Sequence, residues 1–196
     1  GSNLSATRVN KSQLIEKGRE NLLTYSNAFT SGDWSIFAGV ATSGQSDRNG
    51  GTDAWKLDIS VASGNMRNLS LSFTGVHTFS LYLKAGTLDW VKLEVLNNSV
   101  ACWFDVANGV KGVTTGSIID SKIEAAGNGY YRCSITGNFS GGYRVSIIGA
   151  DGNGTTNASS GNFYFQDAQL EQGLVATSLI TTGAGTVQAG ILENTP

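Results

Sequence analysis

Apolar and polar positions alternate along much of this chain. The runs are "AWKLDISV" (54–61), "NLSLSF" (68–73), "HTFSLYLKA" (77–85), "WVKLEVL" (90–96), "VACWFDV" (100–106), "YYRCSITGNF" (130–139), "YRVSIIGA" (143–150) and "NFYFQDAQLE" (162–171). Gly, Asn, Ser and Asp separate them. A period of two belongs to a strand with one buried face. Eight or so such strands at this spacing predict an all-β fold, a two-layer antiparallel β-sandwich of the jelly-roll kind. "NNS" (97–99) and "SGG" (140–142) lie between neighbouring runs and carry residues that tolerate positive φ, so each is expected to turn a hairpin.

The same alternation sorts side chains into two sets. Phe79, Leu81 and Leu83 fall inward with Val91, Leu93 and Val95, and so do Cys102, Phe104, Val106, Tyr131, Cys133, Ile135, Phe163 and Phe165. The outward set holds Tyr82, Lys84, Trp90, Trp103, Asp105, Arg132 and Gln166, together with Ser80, Lys92, Glu94, Tyr130, Ser134 and Tyr164. Aromatic rings stack on the apolar faces of pyranose rings, and Arg, Lys, Asp and Gln bond to hydroxyls. The first seven are therefore the candidate ligand-binding residues. Outward aromatics serve equally as cross-strand pairs or as contacts with another protein. Alternation does not say which strands share a sheet.

Composition supports the all-β reading. Among 196 residues there are 26 glycines and one proline, and only 14% are charged, which describes a turn-rich β protein. Helix formers cluster only over residues 11–24, where one or two helical turns at most are expected. A formal charge of −2 gives no electrostatic reason to expect nucleic acid or an anionic membrane as partner. No apolar run approaches the ~20 residues of a membrane span, and no signal-peptide pattern is present. Cys102 and Cys133 sit in apolar runs, where an unpaired Cys behaves as a small buried hydrophobe, so free thiols are expected.

Catalytic chemistry finds little support. His77 is the single histidine and begins a strand-like run, so nucleophilic triads and zinc spacing are both unsupported. A glycosidase needs two carboxyl groups about 5 to 9.5 Å apart. Asp167 and Glu171 are the best same-face pair on one strand, and four residues of regular strand place them about 13 Å apart. "GADGNG" (149–154) offers Asp151 and Asn153 to a structural calcium ion, but Asn162 stands where an EF-hand-type loop has its acid. It reads as a hairpin or loop, and no cofactor is expected.

The segments "NLLTYSNAFTSGDW" (21–34), "AWKL" (54–57), "FSLYLKAG" (79–86), "GNGYYRC" (127–133) and "AQLEQGLVATSLITT" (168–182) occur in this order. Together they resemble a module of bacteriophage virion proteins and of prophage tail or head-fibre proteins, itself similar to the carbohydrate-binding-module and concanavalin A-like jelly rolls. The resemblance implies a β-sandwich over residues 21–183 that binds host-surface or mucosal glycan on one sheet face, without catalysis, at the surface of a phage particle. The alternative it leaves open is a decoration or fibre domain that contacts other virion proteins or forms a homo-oligomer such as a trimer. Leu22, Leu23, Phe29 and Trp34 would close one end of the core, and Leu170, Val175, Leu179 and Ile180 would tie the closing strand to it. Gly1-Ser2 reads as an expression scar. Residues 1–20 and 184–196 read as connecting segments of a longer chain, with a weak echo between "RVNKSQLIEKGREN" and "TVQAGILENTP".

Overall fold

The computed structural model describes residues 7–9, 15–17, 19–96, 100–155 and 157–188. Its strands, in chain order, are β1 (Thr7–Val9), β2 (Ile15–Lys17), β3 (Glu20–Asn21), β4 (Trp34–Phe37), β5 (Gly39–Gln45), β6 (Ala54–Ile59), β7 (Asn65–Asn68) and β8 (Phe73–Ala85). They continue as β9 (Trp90–Leu96), β10 (Val100–Asp105), β11 (Val110–Thr115), β12 (Ile118–Gly127), β13 (Tyr130–Gly142), β14 (Arg144–Ala150), β15 (Gly161–Gln172) and β16 (Val187–Gln188). Two antiparallel six-stranded sheets form the sandwich. Sheet I has the order β11-β10-β9-β14-β7-β4, and sheet II the order β12-β13-β8-β15-β6-β5. The described residues include no helix, and within 11–24 the chain instead forms β2 and β3.

The predicted inward set fills the space between the sheets. Phe79, Leu81 and Leu83 of sheet II meet Val91, Leu93, Val95, Cys102 and Phe104 of sheet I, all with no exposed surface. Phe163 and Phe165 extend this core toward Phe29, whose ring meets Phe165 edge-on at 4.6 Å and Trp34 at 4.8 Å. Burying each aromatic ring contributes roughly 1.5 to 3 kcal/mol. Cys102 and Cys133 are free and buried in this core. Burial pushes the Cys102 thiol up to about 11, and burial together with the nearby Cys102 pushes Cys133 well above the usual thiol range.

Asn21 clasps the closing end. Its amide donates to the carbonyls of Ala168 and Ile180 at 3.1 and 2.9 Å, and its Oδ1 accepts from the Leu23 and Leu170 N–H groups. This fully buried side chain thus joins the "NLL" and "AQLEQG" segments, which gives those motifs a folding role. Leu170 and Ile180 are buried as expected, but Val175 is 47% exposed and contributes nothing to the core.

Other expectations need correction. Residues 140–142 turn no hairpin: they end β13 in sheet II, while β14 belongs to sheet I. Gly141 there has φ 135° and interrupts the register with β8, so the chain bends from one sheet to the other. A Cβ on Gly142 would lie 2.2 Å from the Phe73 ring, so this corner needs glycine for space as well as for φ. The run 68–73 is not one strand, because β7 ends at Asn68 and β8 begins at Phe73. Residues 97–99 lie outside the described set, between β9 and β10, which do pair antiparallel. The connecting-segment echo falls mostly outside it too, although Val187 and Gln188 pair with Asn21 and Glu20.

Candidate functional site

The seven candidate residues divide between opposite sides of the sandwich. Tyr82 and Lys84 of β8, Arg132 of β13 and Gln166 of β15 lie on the outer face of sheet II, where Arg132 and Gln166 flank Tyr82 from its two neighbouring strands. Trp90 of β9 and Trp103 and Asp105 of β10 lie on the outer face of sheet I.

On sheet I the aromatic pair is covered. Trp103 is 8% exposed and packs with Trp90, Ala101 and Ala150. The Lys92 ammonium lies 5.3 Å from the Trp103 ring and bonds to Glu94 at 3.0 Å. Asp105 is committed to a turn: Oδ1 accepts from the N–H groups of Ala107 and Asn108, and Oδ2 from the Asn108 amide. Trp103 and Asp105 are therefore covered, although the buried Trp103 Nε1 has no hydrogen-bond partner, and Trp90 is half-buried.

On sheet II two chain segments cross the outer face. The first is the β5–β6 connection. The Asp47 carboxylate gathers the N–H groups of Asn49, Gly51 and Asp53 at 2.7 to 3.1 Å, which shapes the loop. The Asp53 N–H, joined by those of Asn49, Gly51 and Gly50, outweighs desolvation and holds the Asp47 pKa below the ordinary carboxylate value. The loop is docked by the Tyr130 hydroxyl donating to Ser46 O and by the Arg48 N–H donating to Gln166 Oε1. Burial, then the Asp47 charge, pushes the Tyr130 phenol above its usual range. The Arg48 guanidinium lies 4.1 Å from the Tyr82 ring centre, and Tyr82 is 8% exposed. Lys84 reaches the rings of Tyr130 and Tyr164 at 5.4 and 5.9 Å.

The second segment follows β15. Glu171 accepts from the Gln169 amide, the Thr177 N–H and the Thr177 hydroxyl at 2.7 to 2.8 Å, and the Gln169 Oε1 accepts from the Ile180 N–H. Thr78 and Thr136 donate to the carbonyls of Gly173 and Leu174. Asp167 pairs with Arg48 at 3.5 Å and sits at a register shift with φ 55°. Asp167 and Glu171, the best same-face acid pair on one strand, are thus engaged in folding contacts.

Between these two crossings a groove of about 140 Å³ remains open. Its floor comes from Asp120, Lys122 and Glu124 of β12 and from Arg132, Ser134 and Thr136 of β13. In register, Lys122 stands opposite Ser134 and Glu124 opposite Arg132. Leu174, Val175 and Ala176 form a lip, and the first two are 59% and 47% exposed. Arg132 donates to Ser80 Oγ at 3.3 Å, its Nε is buried without a hydrogen-bond partner, and it makes no ion pair among the described residues. Only Arg132 of the seven candidates lines this groove. The β12 residues were missed, although "DSKIE" shows the alternation that would have put Asp120, Lys122 and Glu124 on one face. The lip carried no comparable signal.

A larger cavity of about 450 Å³ lies at the end of the sandwich among Arg19, Glu20, Phe73, His77 and Gln172. His77 is committed there, its ring 4.9 Å from Phe73 and its Nδ1 3.3 Å from Gly75 O. Arg19 in its lining adjoins in sequence a residue outside the described set, so the sheet II groove is the better-defined site. In the 149–154 loop, Asp151 is exposed, while Asn153 accepts from the Val113 N–H at 2.7 Å. The described residues contain no group of three or more His, Cys, Asp or Glu side chains that could hold a metal ion.

No family model and no curated protein matches the chain. Among solved structures, it is similar to the CBM22-1–GH10 modules of Clostridium thermocellum endo-1,4-β-D-xylanase 10B, complexed with xylohexaose, at 16% identity and a TM-score of 0.46. That likeness covers 83% of this chain and 29% of the other. It is also similar to the enzymatically active domain of bacteriophage CBA120 tailspike protein 4, at 12% identity and a TM-score of 0.43, over 76% of this chain and 21% of the other. The chain thus spans less than a third of the length of either protein, and at this distance neither likeness bears on a ligand.

Proposed function

We propose that the chain is a non-catalytic glycan-binding module of a phage structural protein, and that the sheet II groove is its binding site. The observation that carries this reading is the groove's mixed surface. Cationic, anionic and hydroxyl side chains alternate along its floor, and an exposed apolar lip borders them. A sugar ring has matching parts: hydroxyls that both donate and accept, and C–H faces that prefer apolar contact. The floor's two carboxylates support binding over hydrolysis. Asp120 and Glu124 are four residues apart on one strand, which is about 13 Å on a regular strand and beyond the working separation of a glycosidase pair. The phage setting rests on the ordered motifs alone.

An assembly role is the second reading, and the β4–β5 corner favours it. Phe37 and Val40, at 45% and 62% exposure, stand on either side of the positive-φ residue Ala38. A glycan array combined with light scattering separates the two. A sugar hit from a monomer supports the binding module, whereas a silent array and a defined oligomer support assembly.

A further inference from the structure

We infer that the groove admits the end of a glycan chain, or a one-unit branch, and not the interior of a polysaccharide. This inference rests on the glycan-binding reading and concerns the shape of the ligand.

A chain lying across the sheet would have to continue from β12 and β13 over β8 and β15. That path is closed. On β8, Thr78, Ser80 and Tyr82 are 0%, 1% and 8% exposed, and on β15, Gln166 and Gln169 are 2% and 0% exposed. They are covered because each has given its outer surface to one of the two crossing segments or to Arg132. On this side of β8 two strands stay open, and at ~4.8 Å between strands they make a floor about 10 Å wide, cut off by the covered β8 and β15 from the exposed outer side chains of β6 and β5. The groove's 140 Å³ also falls below the roughly 300 Å³ at which ordinary small-molecule pockets begin. One ring fits this space. A second ring would already lie outside, past the β12 edge.

Arg132 stands at the blind end. Its hydrogen bond to Ser80, and the Tyr82 ring centre 5.5 Å from its Cζ, hold the guanidinium against the closed part of the face. A guanidinium carries more N–H donors than this one bond uses, so a ligand hydroxyl or ring oxygen at the end of the groove meets Arg132 as its expected anchor. Lys122 and Glu124, both exposed, flank the entrance.

The test uses saturation-transfer NMR and titration calorimetry. The probes are methyl glycosides of glucose, galactose, mannose, xylose and N-acetylglucosamine, and the cello-, xylo- and chito-oligosaccharide ladders from two to six units. The expected result is that a methyl glycoside binds and that its ladder changes affinity by less than about threefold from two units to six. An affinity that climbs tenfold or more over the same ladder overturns the chain-end inference and leaves glycan binding standing. Silence across every probe overturns both. Arg132→Gln should lower the affinity of the binding probe at least tenfold with an unchanged melting temperature, and Arg132→Lys should recover part of it. Lys122→Ala, on an exposed side chain, guards against a folding defect at Arg132 and should weaken binding several-fold. Full affinity in both Arg132→Gln and Lys122→Ala overturns the placement of the ligand in this groove.

Discussion

The two outer faces of this sandwich are built from the same kind of sequence and end differently. On sheet I the outward side chains pack on one another. Lys92 bonds to Glu94 and approaches Trp103, and Asp105 caps its own turn, so the face is sealed by its strands and their neighbours. On sheet II the outward side chains hold other parts of the chain. Gln166, Gln169, Glu171, Thr78 and Thr136 each bond to a segment that crosses the face, and on the β12 side these segments leave uncovered the strip that forms the groove. Pointing outward is a matter of strand register, whereas being open depends on what crosses above.

Four experiments would break or sharpen this contrast. Trp103→Ala should have the largest effect, costing about 3 kcal/mol of stability as expected for a buried aromatic ring, with sugar binding by the groove unchanged. A melting temperature equal to wild type would mean that the sheet I face is open after all. Glu171→Ala comes next. It strips three donors of their acceptor and should cost about 2 kcal/mol. Unlike Trp103→Ala, it should also impair binding, because the lip is held through Thr177. Stability lost with binding intact would show that the second crossing does not shape the groove.

A third test uses acid. Because the folded pKa of Asp47 is depressed, this carboxylate stabilises the folded chain at pH values above its ordinary pKa, and that contribution disappears as pH falls through the folded value. Protection factors at residues 48–53, referred to the intrinsic exchange rate at each pH, should therefore fall below about pH 4, where an ordinary aspartate begins to take up its proton. Asp47→Asn should make those protection factors indifferent to pH, and an unchanged acid response in the variant would assign it to another group. The smallest effect is expected for Cys102 and Cys133. With Cys102 pushed up to about 11 and Cys133 well above the usual range, both should resist thiol reagents at pH 8 in the folded protein and react once it unfolds. Rapid native labelling of either would place it outside the core.

The inward half of the alternation was legible because it is local. Phe79, Leu81 and Leu83 report their own burial through their spacing, and the structure leaves none of them any exposed surface. Sheet membership was not legible, because it depends on pairings between distant residues: β8 lies between β13 and β15, and nothing near Tyr82 signals this. The division of the candidate residues between two faces, and the cover over some of them, was hidden for a related reason. Tyr82 and Gln166 were correctly read as outward, yet the loop that covers them comes from Arg48, more than thirty positions earlier than Tyr82. Val175 was misread because an apolar residue beside the buried "AQL" looks like core, whereas the chain has already left β15 and crosses the surface there. The glycines at 141 and 142 suggested a hairpin because positive φ serves a sheet-crossing corner as readily as a tight turn.

The pairing of Glu20 with Gln188 bears on how the molecule would carry tension. These residues stand side by side at one end of the short β3–β16 ladder, so a longer chain pulling from both directions would load that ladder at its open end. Its bonds would part in succession, as in a zipper, before the large sheets felt shear. The next element in line is Asn21, whose four hydrogen bonds fasten the strand beginning to β15 and to the segment after it. The resistance of the module to stretching would then be set by this side chain together with the neighbouring bonds from Leu22 N–H to Leu170 O and from Tyr25 N–H to Gly183 O, and the twelve strands behind them would remain folded until they let go.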